Sequence, residues 1–273
     1  ERVERLRSMA LGEQRAVGDP AALAARREEL QGELDRRKTE YEAISIALDA
    51  LKRANTQLQE RFSPELKALL PVEGSALVVG LGNAAMTPDA VGPLALDSVL
   101  ITRHLLSAMP KQFAGFRPVS AFRTGVLGTT GVESAEAVLV EQVQPSMVIA
   151  VDALASRRVG RVCATVQLSD TGIIPGSGVG NHRAALNRET LGVPVFAIGV
   201  PTVVDSATLA ADILEESGVE KVDEERLRGE HDAFMVTTRD IDQQVRDLSK
   251  VVGYGINWAL QDLEIEEMNA LLS

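Results

Sequence analysis

The sequence of 273 residues has a single cysteine, Cys163, and only 3% of its residues are aromatic. One cysteine excludes an internal disulfide and is typical of a reducing compartment, so we expect a cytoplasmic location. With so few aromatic side chains, the core must be built mainly from Ala, Val, Leu and Ile. No apolar run reaches the ~18 residues of a membrane-spanning helix, and residues 1–14 lack the apolar centre of a signal peptide. We therefore expect no membrane partner.

Basic charge is also scarce, because 28 Lys and Arg stand against 39 Asp and Glu, a net charge of -11. Binding to nucleic acid needs an excess of basic side chains to neutralise phosphates, so no direct nucleic-acid partner is expected. The 13 acidic and 13 basic side chains of residues 1–70 cancel, and residues 71–273 carry the whole net charge. This change predicts two domains, a helical arm over residues 1–70 and an acidic domain over residues 71–273.

The arm has the apolar periodicity of a coiled coil. Spacings of three and four alternate along one seam, which consists of Tyr41, Ile44, Leu48, Leu51, Asn55, Leu58 and Phe62. Such a seam predicts a helical hairpin or coiled-coil arm used for association, hence a homo-oligomer. The stretch YEAISIALDALKRANTQLQERFSPEL also resembles the coiled coil of SMC-type ATPases where it re-enters the ATPase head. No Walker motif follows, so we expect no ATPase activity.

From residue 75 onward, short apolar runs alternate with segments of helical periodicity. The predicted strands cover residues 76–80, 147–151, 161–167 and 195–199, and the predicted helices cover residues 94–109, 134–143, 206–217 and 239–260. This alternation is typical of a three-layer α/β fold, a largely parallel sheet flanked by helices. Ligands of such sheets bind outside the carboxyl ends of the strands. The polar residues that follow the strands are therefore the candidate functional residues.

Two short motifs have better structural than functional explanations. The run from Gly80 to Ala85, GLGNAA, matches the dinucleotide pattern G-x-G-x-x-A. However, Pro88 and Pro93 prevent the continuous helix that a pyrophosphate site needs, so the glycines predict a loop that approaches another group closely. The tripeptide Asp170-Thr171-Gly172 is that of two-lobed aspartic proteases, but those folds are all-β and need two copies. A turn is the preferred interpretation.

Nucleophilic catalysis is also disfavoured. Cys163 lies in the middle of a predicted strand, where a role in the apolar core is usual. Ser177 lacks the G-x-S-x-G turn that exposes a catalytic serine. The three histidines, His104, His182 and His231, occur in unrelated contexts.

Two aspartates follow predicted strands. Asp89 lies in the loop after residues 76–80, and Asp152 directly follows residues 147–151. If these strands are neighbours, both carboxylates point into one cleft at the carboxyl edge of the sheet. Two close carboxylates share a proton, so that one activates a water while the other protonates a leaving amine. A carboxylate pair also binds divalent metals, and the sequence leaves both chemistries open.

Several blocks, in one order, resemble the germination protease of spore-forming bacteria. They are LVVGLGNAAMTPDAVGPLALDSVLITRHL, GFRPVSAFRTGVLGTTGVESAE, VIAVDALASR, LSDTGIIPGSGVGNHR, LGVPVFAIGVPTVVDSATLAADIL and FMVTTRDIDQQVRDLSKVVGYGINWAL. The resemblance runs from about residue 75 to residue 260. It implies an endopeptidase that initiates degradation of small acid-soluble spore proteins during germination in the spore core. It also implies an atypical aspartic peptidase related in fold to hydrogenase-maturation peptidases, and a homo-oligomer that is a tetramer.

In this family the proposed catalytic pair falls on Asp89 and Asp152. We expect Asn83, Thr202 and Asp205, in nearby loops, to orient the substrate or the pair. No metal ligand is assigned and no cofactor is expected, although a metal-dependent peptidase related to the hydrogenase-maturation proteases is an alternative. A non-catalytic oligomerising remnant is a second alternative.

The resemblance implies a zymogen, yet the sequence departs from the family's pattern in three places, the smallest of which is Thr238, where the family commonly has proline. The helical arm stands where the family carries a propeptide and a strand-containing segment, so zymogen processing and assembly are expected to differ. A long insertion common in the family is reduced to ESGVEKVDEERLRGEHDA.

Overall fold

A computed structural model describes residues 26–38, 57, 60–125, 140–177, 184–219, 222–228, 234–261, 263, 267, 270 and 271. The chain divides into two compact units, Glu1–Ala54 and Asn55–Ser273. The first unit contributes one described helix, α1 (26–38), whose side chains are exposed along its whole length. The seam positions from Tyr41 to Leu58 lie outside the described residues, so the coiled-coil arm remains a prediction.

The second unit begins with a helix, α2 (60–69), that belongs to the core of the α/β domain. Phe62, Leu66 and Leu70 are all buried in its main apolar cluster. The division between the units therefore precedes the boundary that the charge pattern indicates at residues 70/71. The two boundaries differ because α2 is amphipathic. The charged residues on its polar face resemble those of the arm in composition, whereas its apolar face packs in the core of the α/β domain.

Truncating the side chain of Leu66 in α2 is expected to destabilise the domain. Leu66 is fully buried, whereas Leu69, one turn away on the same helix, is 39% exposed. Leu66→Ala should lower the free energy of unfolding by about 2–5 kcal/mol, because the deleted methyl groups leave a cavity. Leu69→Ala is the matched control, and in denaturant titrations it should cost less than about 1 kcal/mol. Equal costs for the two variants would contradict the packing of α2.

Within the described residues the sheet contains six strands, with the order β2-β1-β3-β5-β4 and with β6 pairing β5. Their bounds are β1 (Ala76–Gly80), β2 (Val119–Arg123), β3 (Met147–Ser156), β4 (Gln167–Ser169), β5 (Val195–Asp205) and β6 (Met235–Val236). The four strands β2, β1, β3 and β5 are parallel, and β4 and β6 are antiparallel to β5. This confirms the predicted α/β class with a largely parallel sheet.

Helices cover both faces of the sheet. After α2 they are α3 (Val91–Ala95), α4 (Arg103–Ala108), α5 (140–143), α6 (Arg188–Leu191), α7 (Ser206–Glu216), α8 (Glu224–Arg228) and α9 (Ile241–Gln261). One face of β3, with Ile149 and Val151, packs in a cluster with α2, α3 and α9. The opposite face, with Val148 and Ala150, packs with α5 and α6. No described helix is both long enough and apolar enough to cross a membrane.

The structure corrects two predicted elements. The helix predicted over residues 94–109 is broken near its middle. The buried side chain of Asn257 accepts a hydrogen bond from the Leu100 N–H (2.8 Å) and donates one to the Ser98 carbonyl (2.7 Å), in place of bonds within a helix. The strand predicted over residues 161–167 is wrong apart from its last residue, which begins β4. Cys163 instead has a left-handed backbone with φ 52°, and its N–H donates to the Pro201 carbonyl (2.7 Å).

Candidate active site at the carboxyl edge of the sheet

A crevice opens where β1 ends and β3 continues. The pairing of β1 with β3 ends at Gly80 opposite Val151, and the Leu81 N–H donates to the Val151 carbonyl (2.8 Å). β2 lies on one side of β1 and β3 on the other, so the strand order reverses between β1 and β3. Such a reversal is a topological switch point, where open α/β sheets bind their ligands.

Asp152 lies at this switch point. It is the first residue of β3 beyond the end of β1, and its side chain is buried, with 5% exposure. The sequence pattern predicted that the strand ends here, but β3 continues to Ser156 because β5 still pairs with it. Oδ1 of Asp152 accepts a hydrogen bond from the N–H of Ala153 (2.9 Å), which orients the carboxylate.

Asp89 reaches the same crevice from the loop after β1. The loop folds back on itself at Gly82, whose φ is 105°, and a Cβ there would lie 2.1 Å from the Asp89 carbonyl oxygen. The N–H of Asn83 donates to Oδ2 of Asp89 (2.7 Å), and Oδ1 of Asn83 accepts from the N–H of Ala85 (2.9 Å). The close approach predicted from the glycines is therefore an approach of the loop to its own aspartate.

Two threonines, on β5 and after β6, connect these segments to the Asp89 loop through hydrogen bonds. Thr202 is the residue of β5 that has no partner where the register with β3 shifts, so the bulge turns its side chain toward the loop. Its hydroxyl donates to the Pro88 carbonyl (2.6 Å), directly before Asp89. The hydroxyl of Thr237 in turn donates to the Thr202 carbonyl (2.6 Å). These two bonds link β5 and the segment after β6 to the backbone that carries Asp89.

Removing the Thr202 hydroxyl is expected to slow the reaction. Thr202→Val keeps the side-chain shape but leaves the Pro88 carbonyl without its donor, so kcat should fall about tenfold, the equivalent of one hydrogen bond. Thr202→Ser retains the hydroxyl and should recover most of kcat. Steady-state assays with both variants separate the two outcomes, and equal activity of Val and Ser variants would contradict the positioning role.

The two aspartates line one cavity of about 540 Å³. Asn83 and Thr202 line it with them, so the structure brings together four of the five predicted site residues. The remaining wall is mainly apolar or backbone, from Leu81, Gly82, Met86, Pro88, Ala153, Leu154, Ala155, Pro175, Gly176, Val203, Met235 and Thr237. The cavity thus combines two carboxylates with an apolar surface.

Asp205 lies outside this cavity. Its carboxylate accepts from the Ala207 N–H (2.8 Å) as the N-cap of α7 and pairs with Arg228 (3.5 Å). It lines a separate polar pocket of about 430 Å³, together with Ala155, Ser156, Arg157, Thr208, Glu224 and Arg228. In the structure Asp205 caps α7 rather than lining the crevice, because β5 extends to Asp205 and carries it past that point.

Among the described residues, none of the alternative nucleophilic candidates lines the cavity. Cys163 is half-buried, and burial raises the pKa of its thiol, which disfavours the reactive thiolate. His104 lies on α4 beside a different surface depression, and Asp170 is exposed at the turn after β4. His182 and His231 lie outside the described residues. Within those described residues, no group of three His, Cys, Asp or Glu side chains is placed to hold a metal ion.

Five residues of the cavity wall were not predicted from the sequence. Met86, Pro175, Gly176, Met235 and Thr237 line it, although no periodicity or charge pattern marks them. All five lie inside the blocks that resemble the germination protease, so that resemblance was the available signal. Their roles depend on long-range contacts between loops.

Comparison with known proteins identifies the family. A family model described as germination protease matches residues 22–226. The germination protease of Clostridium tetani is 40% identical, over 89% of this chain and 86% of that protein. That of Caldanaerobacter subterraneus subsp. tengcongensis is 43% identical (84% and 81%), and that of Bacillus subtilis is 47% identical (65% and 52%).

Among solved structures, the [NiFe] hydrogenase maturation protease HycI from Thermococcus kodakarensis aligns with a TM-score of 0.38 and 16% identity. The alignment covers 70% of this chain and 98% of that one.

The sequence matches extend across both the Asp89 loop and β3, and their identity is high over most of the chain. This chain therefore belongs to the germination protease family and is a peptidase.

Proposed function

We propose that this chain is an endopeptidase that initiates the degradation of small acid-soluble spore proteins during germination, in the spore core. Asp89 and Asp152 are its catalytic residues. The observation that supports this most directly is that both carboxylates line one cavity at the switch point of the sheet. Membership of a protease family supplies the reaction class.

The pair supplies both proton transfers that amide hydrolysis requires. A base takes a proton from the attacking water, and an acid delivers a proton to the leaving amine. Two neighbouring carboxylates that share one proton provide one group of each kind. Their orientation is supported by the Asn83 N–H on Asp89 and the Ala153 N–H on Asp152. In this mechanism water attacks directly, and no acyl-enzyme forms.

The apolar wall of the cavity supports binding of a polypeptide. Met86, Leu154, Pro175 and Met235 surround the carboxylates, and both Met86 and Met235 remain partly exposed. Burying an apolar substrate side chain against them excludes water from the pair, which strengthens its electrostatic interactions with the reacting groups. The flexible methionines accommodate side chains of different shape.

The test is digestion of a purified small acid-soluble spore protein, with fragments identified by intact mass. We expect internal cleavage by the full chain and by a chain that begins at Asn55, the start of the second unit. The same rate after treatment with a chelator supports the aspartate pair. Loss of cleavage on chelation, with recovery on adding a divalent metal, would establish the metal-dependent alternative. Absence of any cleavage by the folded chain would establish the non-catalytic alternative.

A further inference from the structure

The edge of β3 that faces the cavity continues beyond its neighbour. β1 pairs with β3 only as far as Val151, whereas on the other side β5 pairs with β3 as far as Ser156. Within the described ranges, no strand pairs with the β1-side edge of β3 from Asp152 to Ser156. An edge of this kind presents backbone donors and acceptors to another extended chain.

The hydrogen bond from the Leu81 N–H to the Val151 carbonyl shows which way the backbone groups of β3 point. The Val151 carbonyl accepts from Leu81 and therefore points to the β1 side. Backbone groups alternate sides along a strand, so those of Ala153 and Ala155 point the same way, toward the cavity. The Ala153 N–H is already turned to Oδ1 of Asp152 (2.9 Å). The edge is thus continuous with the catalytic carboxylate.

Among the described residues, those along this edge leave room for another chain. Ala153 and Ala155 have small side chains, and both line the cavity. The side chain of Leu154 is directed away from the edge, since a Cβ on Gly199 of β5 would lie 2.2 Å from its Cδ1. Ala155 also lines the polar pocket beside Arg157. The edge therefore connects the cavity that holds the aspartates with a second concave surface.

We propose that the polypeptide substrate binds as an added β-strand along the β3 edge from Ala153 to Ala155. The proposal rests on the proposed peptidase function and specifies how the same site recognises its substrate. Backbone hydrogen bonds to the Ala153 carbonyl and to the Ala155 N–H supply affinity, because the Ala153 N–H is bonded to Asp152. The two pockets receive alternate side chains, as in other cases of strand addition. An extended substrate on this edge passes its peptide bonds beside Asp152. Only a locally unfolded segment fits, so a folded substrate must open before cleavage.

The first test removes backbone donors from the substrate one at a time. Overlapping synthetic peptides that cover the spore protein locate the tightest-binding segment, and each amide of that segment is then N-methylated singly. Dissociation constants are measured with the Asp152→Asn variant, so that binding is read without cleavage. We expect the constant to rise about tenfold at every second amide and little at those between, because only alternate residues of a strand face a given neighbour.

The second test asks whether the bound substrate pairs with the edge of β3. Ala155→Pro removes the N–H of Ala155 from the edge and should raise KM about tenfold while kcat changes less than about threefold. Ala114→Pro is the matched control. It lies in the turn closed by the Phe116 N–H and the Phe113 carbonyl, before β2 at the opposite end of the sheet, where proline is compatible. The control should leave KM unchanged. If Ala155→Pro fails to fold by circular dichroism, the N-methyl scan decides alone.

The outcomes separate this proposal from the proposed function. Cleavage of the spore protein without two-residue alternation in the scan, or with an unaffected KM in folded Ala155→Pro, overturns strand addition and leaves the peptidase intact. Alternating affinities without any cleavage by the wild-type chain overturn the peptidase and retain the strand. Absence of both binding and cleavage overturns both.

Discussion

Asp152→Asn is expected to lower kcat for cleavage of a small acid-soluble spore protein by about 10²–10⁴-fold, the usual contribution of a general acid or base. The amide keeps the size of the carboxylate and its acceptor oxygen, so the hydrogen bond from the Ala153 N–H is preserved. Because Asn neither takes up nor delivers a proton, the loss should appear in kcat rather than in KM. Initial rates over a range of substrate concentrations measure both constants.

Asp170→Asn is the matched control for this substitution. Asp170 is exposed in the turn after β4 and does not line the cavity, so the same chemical change there should alter kcat less than twofold. Both variants should unfold at the same denaturant concentration as the wild-type chain. A folded Asp152→Asn variant with wild-type kcat would remove Asp152 from the mechanism.

Gly82→Ala should lower kcat/KM by about 100-fold, because displacing a catalytic group by about 1 Å has an effect of that size. The new Cβ would lie 2.1 Å from the Asp89 carbonyl oxygen and 3.0 Å from Oδ1 of Asp89. Either the Asp89 loop moves or the backbone at φ 105° rearranges, and both displace the carboxylate. Strain should also lower the free energy of unfolding by about 1–3 kcal/mol.

Gly218→Ala separates strain from displacement of Asp89. Gly218 follows α7 and has φ 92°, yet a Cβ there would meet nothing within 4 Å. Gly218→Ala should lower the free energy of unfolding by about as much as Gly82→Ala, because both residues have a left-handed backbone, but it should leave the activity unchanged. Urea titration and steady-state kinetics on the two variants provide the comparison. Equal kcat/KM values for both would mean that the Gly82 loop does not position Asp89.

Much of the architecture followed from local pattern. The apolar run Ala76–Gly80 is β1 with the same bounds, and the predicted helices at residues 206–217 and 239–260 are α7 and α9 with shifts at their ends. These elements pack through continuous apolar faces, so periodicity is sufficient to find them. The placement of Asp89 and Asp152 on one cavity also followed, because parallel strands bring their carboxyl ends to one edge.

Other features depended on contacts that a local pattern does not contain. The break after Ser98 is imposed by Asn257, 159 residues further along the chain, whose buried amide donates to the Ser98 carbonyl and accepts from the Leu100 N–H. The short strands β2 and β6 gain their identity only by pairing with β1 and β5. Asp205 follows the same logic as Asp152 in sequence, but the length of β5 decides that it caps a helix instead.

The most direct test of the account is a double-mutant cycle on Asp89 and Asp152, measured with the chelator-treated chain and one purified spore protein. If the two carboxylates act as a pair, each Asn substitution alone removes the function of both. The account predicts that the double variant has a kcat close to that of the slower single variant. Losses that multiply, or one single variant that retains wild-type kcat, would contradict it, since independent groups contribute additive free energies.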